Sequence, residues 1–273
     1  MQSKKYNNGF IPTGKYMFDL FNRFIGTCNL IKKFQLPTIL NYLSTNRPHN
    51  IIDFGCGSGY ISNSITLNDC CIYGYDIKYG NYWDEIMSNN LLINFKKINT
   101  YNIPYSKNKT YNILFSEVLS EISNIDLFFK HNKELLSRTD YIVHVTSHGR
   151  NTLFDILKRL LPYKLHHSIN VIRASYLKAL NASFRNDNIP FKNFGYYNKY
   201  FEKYGFKLIK VDYTFNVYCS FIIQFLQFLL LKTFSFSYTR IFVLLYPILY
   251  FVNLIPARRC TDFTITLYQK HSS

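Results

Sequence analysis

The stretch Ile51-Ile52-Asp53-Phe54-Gly55-Cys56-Gly57-Ser58-Gly59-Tyr60-Ile61 decides how the chain is read. A short apolar run ends in an acid and enters three alternate glycines, the pattern of a strand turning into a helix where a ligand comes close to the backbone. The spacing is GxGxG and not the GxGxxG of dinucleotide sites. Asp53 adds a second constraint. A carboxylate ending the strand repels a diphosphate, which needs bare helix N-terminal amides, and suits a cationic ligand. Asp53, Phe54, Gly55, Cys56, Gly57 and Gly59 are therefore one candidate binding loop, in which Cys56 is a small side chain that fits the turn.

Three further segments follow in order. Cys71-Ile72-Tyr73-Gly74-Tyr75-Asp76-Ile77 reads as a second strand ending in an acid. A carboxylate there can accept hydrogen bonds from both hydroxyls of a ribose, each worth about 1.5–3 kcal/mol because one partner is charged. Phe95 to Thr100 reads as a third strand, and Tyr111 to Ile122 as a fourth that runs into a helical start.

Together these segments resemble the motifs of class I S-adenosylmethionine-dependent methyltransferases of the type 11-like kind. The resemblance covers about residues 45 to 270, with its specific motifs confined to 51–122. It implies an α/β fold, a Rossmann-like seven-stranded, mostly parallel sheet whose last strand is antiparallel. The remaining strands fall at Tyr141 to Ser147, Phe206 to Tyr213 and Phe263 to Gln269, with a core helix at Tyr196 to Lys203. It also implies S-adenosyl-L-methionine as cofactor, Asp76 and Ile77 at its ribose, and Ser116 and Glu117 beside it. Asn99, followed by Thr100, stands where the family commonly has an acid that touches the adenine amine. The family's fourth motif often closes with an acid and a His, and here Ser120 and Glu121 stand there instead, so no metal is expected: two acids are too few. Asn102-Ile103-Pro104-Tyr105 resembles the Asn-Pro-Pro-Tyr signature of nucleobase amino-methyltransferases, but it precedes the fourth strand and carries Ile where that signature has Pro.

The chain has 273 residues, enough for one α/β domain with insertions. Residues 1–45 read as an N-terminal helical cap, with a helix at Tyr16 to Phe24, and 46–273 as the methyltransferase domain. The net charge of +16 calls for an anionic partner or surface, nucleic acid or lipid headgroups. The lysines are scattered, as at Lys32-Lys33 and Lys96-Lys97, which weakens the nucleic-acid reading. An AT-rich coding sequence would give the same abundance of Lys, Asn, Ile, Tyr and Phe. Six cysteines without a CxxC pair, and no secretory leader, predict reduced thiols and a cytoplasmic protein.

Two inserts interrupt the pattern. Residues 149–194 read as a lid, with helices at Thr152 to Leu161 and Ala174 to Arg185. Residues 217–257 carry only Lys232 and Arg240 as charges. Each apolar half falls short of the ~20 residues that a membrane-crossing helix needs. The expected alternatives are interfacial insertion beside anionic headgroups, on the inner membrane face, and packing against the domain. An apolar or lipid-linked acceptor, methylated on oxygen or carbon, is the expected substrate. For a hydroxyl acceptor, His148, just past the fifth strand, is the candidate catalytic base; a loop histidine without a role is the competing reading. His144 reads as core, and His166 and His167 as weaker candidates. The rivals are a nucleic-acid methyltransferase and a degenerate membrane-associated binding protein.

Overall fold

The computed structural model describes residues 30–147 apart from 46, 66, 68 and 81, residues 157–172 apart from 159 and 169, residues 194–223 with 225, and residues 245–257 and 263–271. Seven strands form one sheet: β1 (Asn50–Phe54), β2 (Cys71–Asp76), β3 (Ile93–Lys97), β4 (Tyr111–Ser116), β5 (Thr139–Ser147), β6 (Phe206–Tyr213) and β7 (Phe263–Lys270). Their order is β3-β2-β1-β4-β5-β7-β6. The first five strands pair parallel, and β7 runs antiparallel to both of its neighbours. β6 therefore points the same way as β1 to β5, and its carboxyl end lies at the same sheet edge as theirs.

Every residue of β1 is buried, the polar Asn50 and Asp53 included, and Ile51 and Ile52 follow one another without alternation because a central parallel strand is covered on both faces. Neighbouring side chains go to opposite cores. Ile51 and Leu114 pack with Ile39 of α1 (Leu30–Leu43), Ile61 of α2 (Tyr60–Ser64) and Trp83 of α3 (Trp83–Asn89). Ile52, Ile113 and Phe115 pack with Phe128 of α4 (Ile125–His131), Leu135 of α5 (Lys133–Ser137) and Phe201 of α6 (Phe194–Lys203). This second core is strongly aromatic, with Phe128 edge-on to Phe115 and to Phe129, pairs that add about 0.5–1.5 kcal/mol each beyond their buried area.

The third strand lies earlier than the sequence suggests. Its ladder runs from Ile93 opposite Ile72 to Lys97 opposite Asp76, and it stops where β2 stops. Ile98 makes the last bond, its N–H to the Asp76 carbonyl at 2.9 Å, so Asn99 and Thr100 sit in the exposed bend that follows. In the lid insert, residues 157, 158 and 160 are helical and Pro162 follows the stop. The helices expected at Tyr16 to Phe24 and Ala174 to Arg185 lie outside the described residues.

Beyond β6 the chain enters a helix over 217–223, and it returns through α7 (Tyr246–Leu254). Two asparagines tie the roots of these helices together. Asn216 N–H donates to Asn253 Oδ1 at 2.7 Å, the Asn216 side-chain amide donates to the Val252 carbonyl at 2.7 Å, and the Asn253 amide donates to the Thr214 carbonyl at 3.0 Å. The inner faces share a small core of Phe215, Cys219, Ile223 and Leu249, against which Phe34 and Ile31 of α1 pack. The packing expectation thus holds for the inner face. The outer face leaves Ile248, Phe251 and Leu254 exposed at 60, 68 and 61%. No helix among the described residues is long and apolar enough to cross a membrane.

Candidate functional site

The glycine loop follows directly from β1. Gly55 N–H and Cys56 N–H both donate to the Tyr75 carbonyl, at 2.7 and 3.2 Å, which folds the loop over the end of β2. φ is +76° at Gly55 and +54° at Gly57, a region that costs an L side chain about 1–2 kcal/mol. The two glycines nevertheless answer different needs. A Cβ on Gly55 would lie 2.5 Å from Val118, whereas a Cβ on Gly57 would meet nothing within 4 Å. Gly55 is demanded by packing; Gly57 faces open space.

That space is a cavity of about 420 Å³ at the carboxyl edge of β1, β2 and β4. Asp76 is already engaged at its rim, accepting from Gly57 N–H at 2.9 Å and from Lys78 N–H at 3.0 Å. Asp53 lies at its floor with 1% exposure. Its Oδ2 accepts from Ser62 Oγ at 2.7 Å, while Oδ1 is buried without a partner. Burial pushes the Asp53 carboxyl up to about 6, and the Asp76 charge adds to this, against the opposing pull of Ser62 and Lys32. Burial likewise raises the Cys56 thiol far above its ordinary value, so it is held protonated and is no nucleophile.

Of the residues singled out by sequence, Asp53, Phe54, Gly55, Cys56, Gly57, Asp76, Ile77, Ser116 and Glu117 line this cavity. Gly59, Asn99 and Thr100 do not. Gly59 lies beneath the loop, where a Cβ would lie 2.5 Å from Phe95. Ile98 and Tyr101 take the wall that Asn99 and Thr100 were expected to form. His148 lies outside the described residues. His144 is core, 1% exposed, with its ring edge-on to Tyr197 and Phe201. His166 and His167 do not line the cavity, and among the described residues no three acids, histidines or cysteines cluster to hold a metal.

The sequence reading missed Lys32. Its Nζ donates to Ser116 Oγ at 2.6 Å and lies 3.4 Å from Glu117 Oε1, with only 17% of the side chain exposed. Among the lining residues it is the cation in a cavity that otherwise carries Asp53, Asp76, Glu117 and Glu121. Glu117 itself has φ +64°, a strained backbone at the tip of β4, where such strain accompanies function. Trp83 was missed as well. Its indole N–H donates to the Gly57 carbonyl at 2.9 Å, and its ring stacks on Phe95 at 5.2 Å.

An open sheet with a glycine loop after β1, an acid ending β2 and a cavity at the strand carboxyl ends is a nucleoside site. The family model described as a methyltransferase domain matches residues 31–211. The chain belongs to the class I S-adenosylmethionine-dependent methyltransferases. No curated protein matches the sequence significantly. Among solved structures, the methyltransferase domain of bacterial CtHen1 has a TM-score of 0.50 at 12% identity, covering 89% of this chain and 100% of that one. The plantazolicin methyltransferase BamL, crystallised with a triazolic analogue and S-adenosylhomocysteine, also gives 0.50, at 13% identity over 97% of this chain and 94% of that one. At such identities these similarities establish the fold of the methyltransferase and nothing finer.

S-adenosylmethionine, the methyltransferase's cofactor, fits the observed donor set. The buried, unpartnered Asp53 Oδ1 asks for a positive or donating group, and the four carboxylates that line the cavity would repel phosphates.

Proposed function

We propose that this methyltransferase modifies an apolar or lipid-linked small molecule, on oxygen or carbon, at an anionic membrane surface. The observation that carries the proposal is the apolar outer face of α7, Ile248, Phe251 and Leu254, at the sheet edge that also bears the cavity. A helix without charge whose outer side is as apolar as its inner side asks for a non-aqueous neighbour. The net charge of +16 selects anionic headgroups as that neighbour.

The cofactor, when bound, supplies an electrophilic methyl group on a cationic sulfur. This chain's residues then bind and orient. With the cofactor bound, Asp76 would accept from the ribose hydroxyls, with Ile77 beside it; Asp53 would offset positive charge; Lys32 would meet the cofactor's carboxylate; Ile98 and Tyr101 would wall the adenine, with Asn99 and Thr100 outside that wall; and Ser116 and Glu117 would border the reacting end. Holding two partners in line supplies most of the rate in such a transfer. If the acceptor is a hydroxyl, His148 takes its proton. Residues 1–45 act as a cap, 149–194 as a lid and 217–257 as the membrane-facing insert of the domain 46–273.

Two experiments test this. Calorimetry with S-adenosylhomocysteine should show Asp76→Ala weakening binding at least about tenfold, since a charge-assisted bond is worth about 1.5–3 kcal/mol; unchanged binding would refute the site assignment. Paired Ile248→Asp and Phe251→Asp changes should release the protein from phosphatidylserine-containing vesicles. Equal sedimentation of variant and parent would refute the membrane reading, and a steeply salt-dependent affinity for RNA would favour the nucleic-acid alternative.

A further inference from the structure

One helix touches both the apolar insert and the cofactor cavity. In α1, Lys32 enters the cavity and bonds Ser116, while Phe34, two residues on and so on the opposite side of the helix, packs into the insert. Phe34 lies edge-on to Phe215 at 5.1 Å and against Tyr246 of α7 at 4.9 Å. Lys33 sits over the same Tyr246 ring at 5.3 Å, partly buried and with its pKa lowered by that burial.

The two halves of α1 are fastened differently. The second half is anchored in the main core through Ile39, Tyr42 and Leu43, each 2% exposed or less, and Tyr42 donates to Asp212 at the end of β6. The first half is separated from it by Pro37, which lacks the N–H that would bond the carbonyl one turn back and so weakens the helix at that point. Just before Pro37, Gln35 is fully buried and Leu36 packs on the main core; ahead of them, Lys32 reaches the cavity while Phe34 and Ile31 reach the insert.

We infer that docking of the insert on an anionic bilayer and occupancy of the cofactor cavity are thermodynamically coupled through residues 30–36. This rests on the membrane and cofactor readings given above. The bilayer immobilises α7, Tyr246 restrains Phe34, and the segment carrying Lys32 is ordered before the cofactor arrives. A segment already ordered by one ligand costs less to order for the second, which gives positive coupling without a change of structure. Because coupling is reciprocal, the cofactor strengthens membrane attachment by the same factor.

The test uses the full chain, S-adenosylhomocysteine, and phosphatidylcholine vesicles with and without phosphatidylserine. Cofactor affinity should rise about fivefold or more with the anionic vesicles, the lower end of common coupling factors, and vesicle partition should rise equally on saturation with S-adenosylhomocysteine. Amide hydrogen exchange over 30–36 should slow with either ligand and slow further with both. Phe34→Ala should still sediment with vesicles and bind S-adenosylhomocysteine, but with one affinity whether or not vesicles are present; Phe34→Tyr should restore the difference. Lys32→Met should remove the coupling from the other end of the segment. Wild-type protein that binds both ligands independently overturns the inference and leaves the function standing, as does coupling that survives in Phe34→Ala. Failure to sediment removes the membrane reading and this inference together, and failure to bind S-adenosylhomocysteine removes the cofactor reading first.

Discussion

The glycine loop and the apolar insert meet the same edge of one sheet, yet they are specified in opposite ways. The loop is fixed by hydrogen bonds to named partners: Gly57 donates to Asp76 and accepts from Trp83, and Gly55 and Cys56 share the Tyr75 carbonyl. Among the described residues of the insert, the roots are tied by Asn216 and Asn253, while α7 turns apolar side chains both to the inner core and to the exposed outer face. A site that must hold one small molecule needs fixed geometry; a face that meets a fluid surface needs only area and the absence of charge.

The contrast can be broken most forcefully at Gly55. Gly55→Ala combines a left-handed backbone with a clash against Val118 and should cost about 2–5 kcal/mol, read as a large fall in Tm. Gly57→Ala should cost only about 1–2 kcal/mol of stability while weakening S-adenosylhomocysteine binding more than Gly55→Ala lowers it per unit of stability lost, since its methyl group enters the cavity. Equal losses of binding and stability in the two variants would erase the distinction between a packing glycine and a ligand-facing one.

An effect smaller than that of Gly55→Ala is expected at Asp53. Its folded carboxyl is raised to about 6 from 3.8, so the folded state holds the proton more tightly than the unfolded chain, and stability declines as pH rises from about 4 to about 6. Asp53→Asn should remove that decline and stabilise the ligand-free protein near neutral pH by up to about 3 kcal/mol, with weaker cofactor binding. Thermal unfolding against pH, with and without S-adenosylhomocysteine, checks both signs; an Asn variant less stable than the parent at pH 7 would contradict them. The aspartate is thus a case of stability given up for a ligand. On the insert, Ile248→Asp with Phe251→Asp should shift stability by no more than about 0.5 kcal/mol, because neither side chain is in the inner core. The smallest signal is optical. Trp83 is the only tryptophan of the chain and is bonded to the loop, so its fluorescence should change on cofactor binding in the wild type and much less in Asp76→Ala.

Most of the sheet could be read from the sequence because buried parallel strands such as Ile51 to Phe54 and Tyr111 to Ser116 are short, mainly apolar runs without polar alternation that lead into a polar or glycine turn. The third strand was placed late for a non-local reason: its length is fixed by β2, which stops pairing at Asp76. The acids of the site were legible from their places at strand ends. Lys32 was not, since it was read as part of a scattered basic surface. The signal existed: Lys32 shares a helical face with Gln35, Ile39 and Tyr42, all of them buried, and a lysine on a buried face is never an ordinary solvated charge. Nothing in sequence announces the positive φ of Glu117 or the bond from Trp83 to the loop, because both depend on elements far apart in the chain.

The asparagine pair at the base of the insert has a consequence for how this chain can change. Because Asn216 and Asn253 fasten one root to the other beside the sheet edge, the register of β6 and β7 is insulated from whatever lies between them. The intervening stretch behaves as a cassette: away from the face that meets α1, its length and composition can drift, or be exchanged for another surface, while the splice holds and the pairing of the two strands never registers the swap.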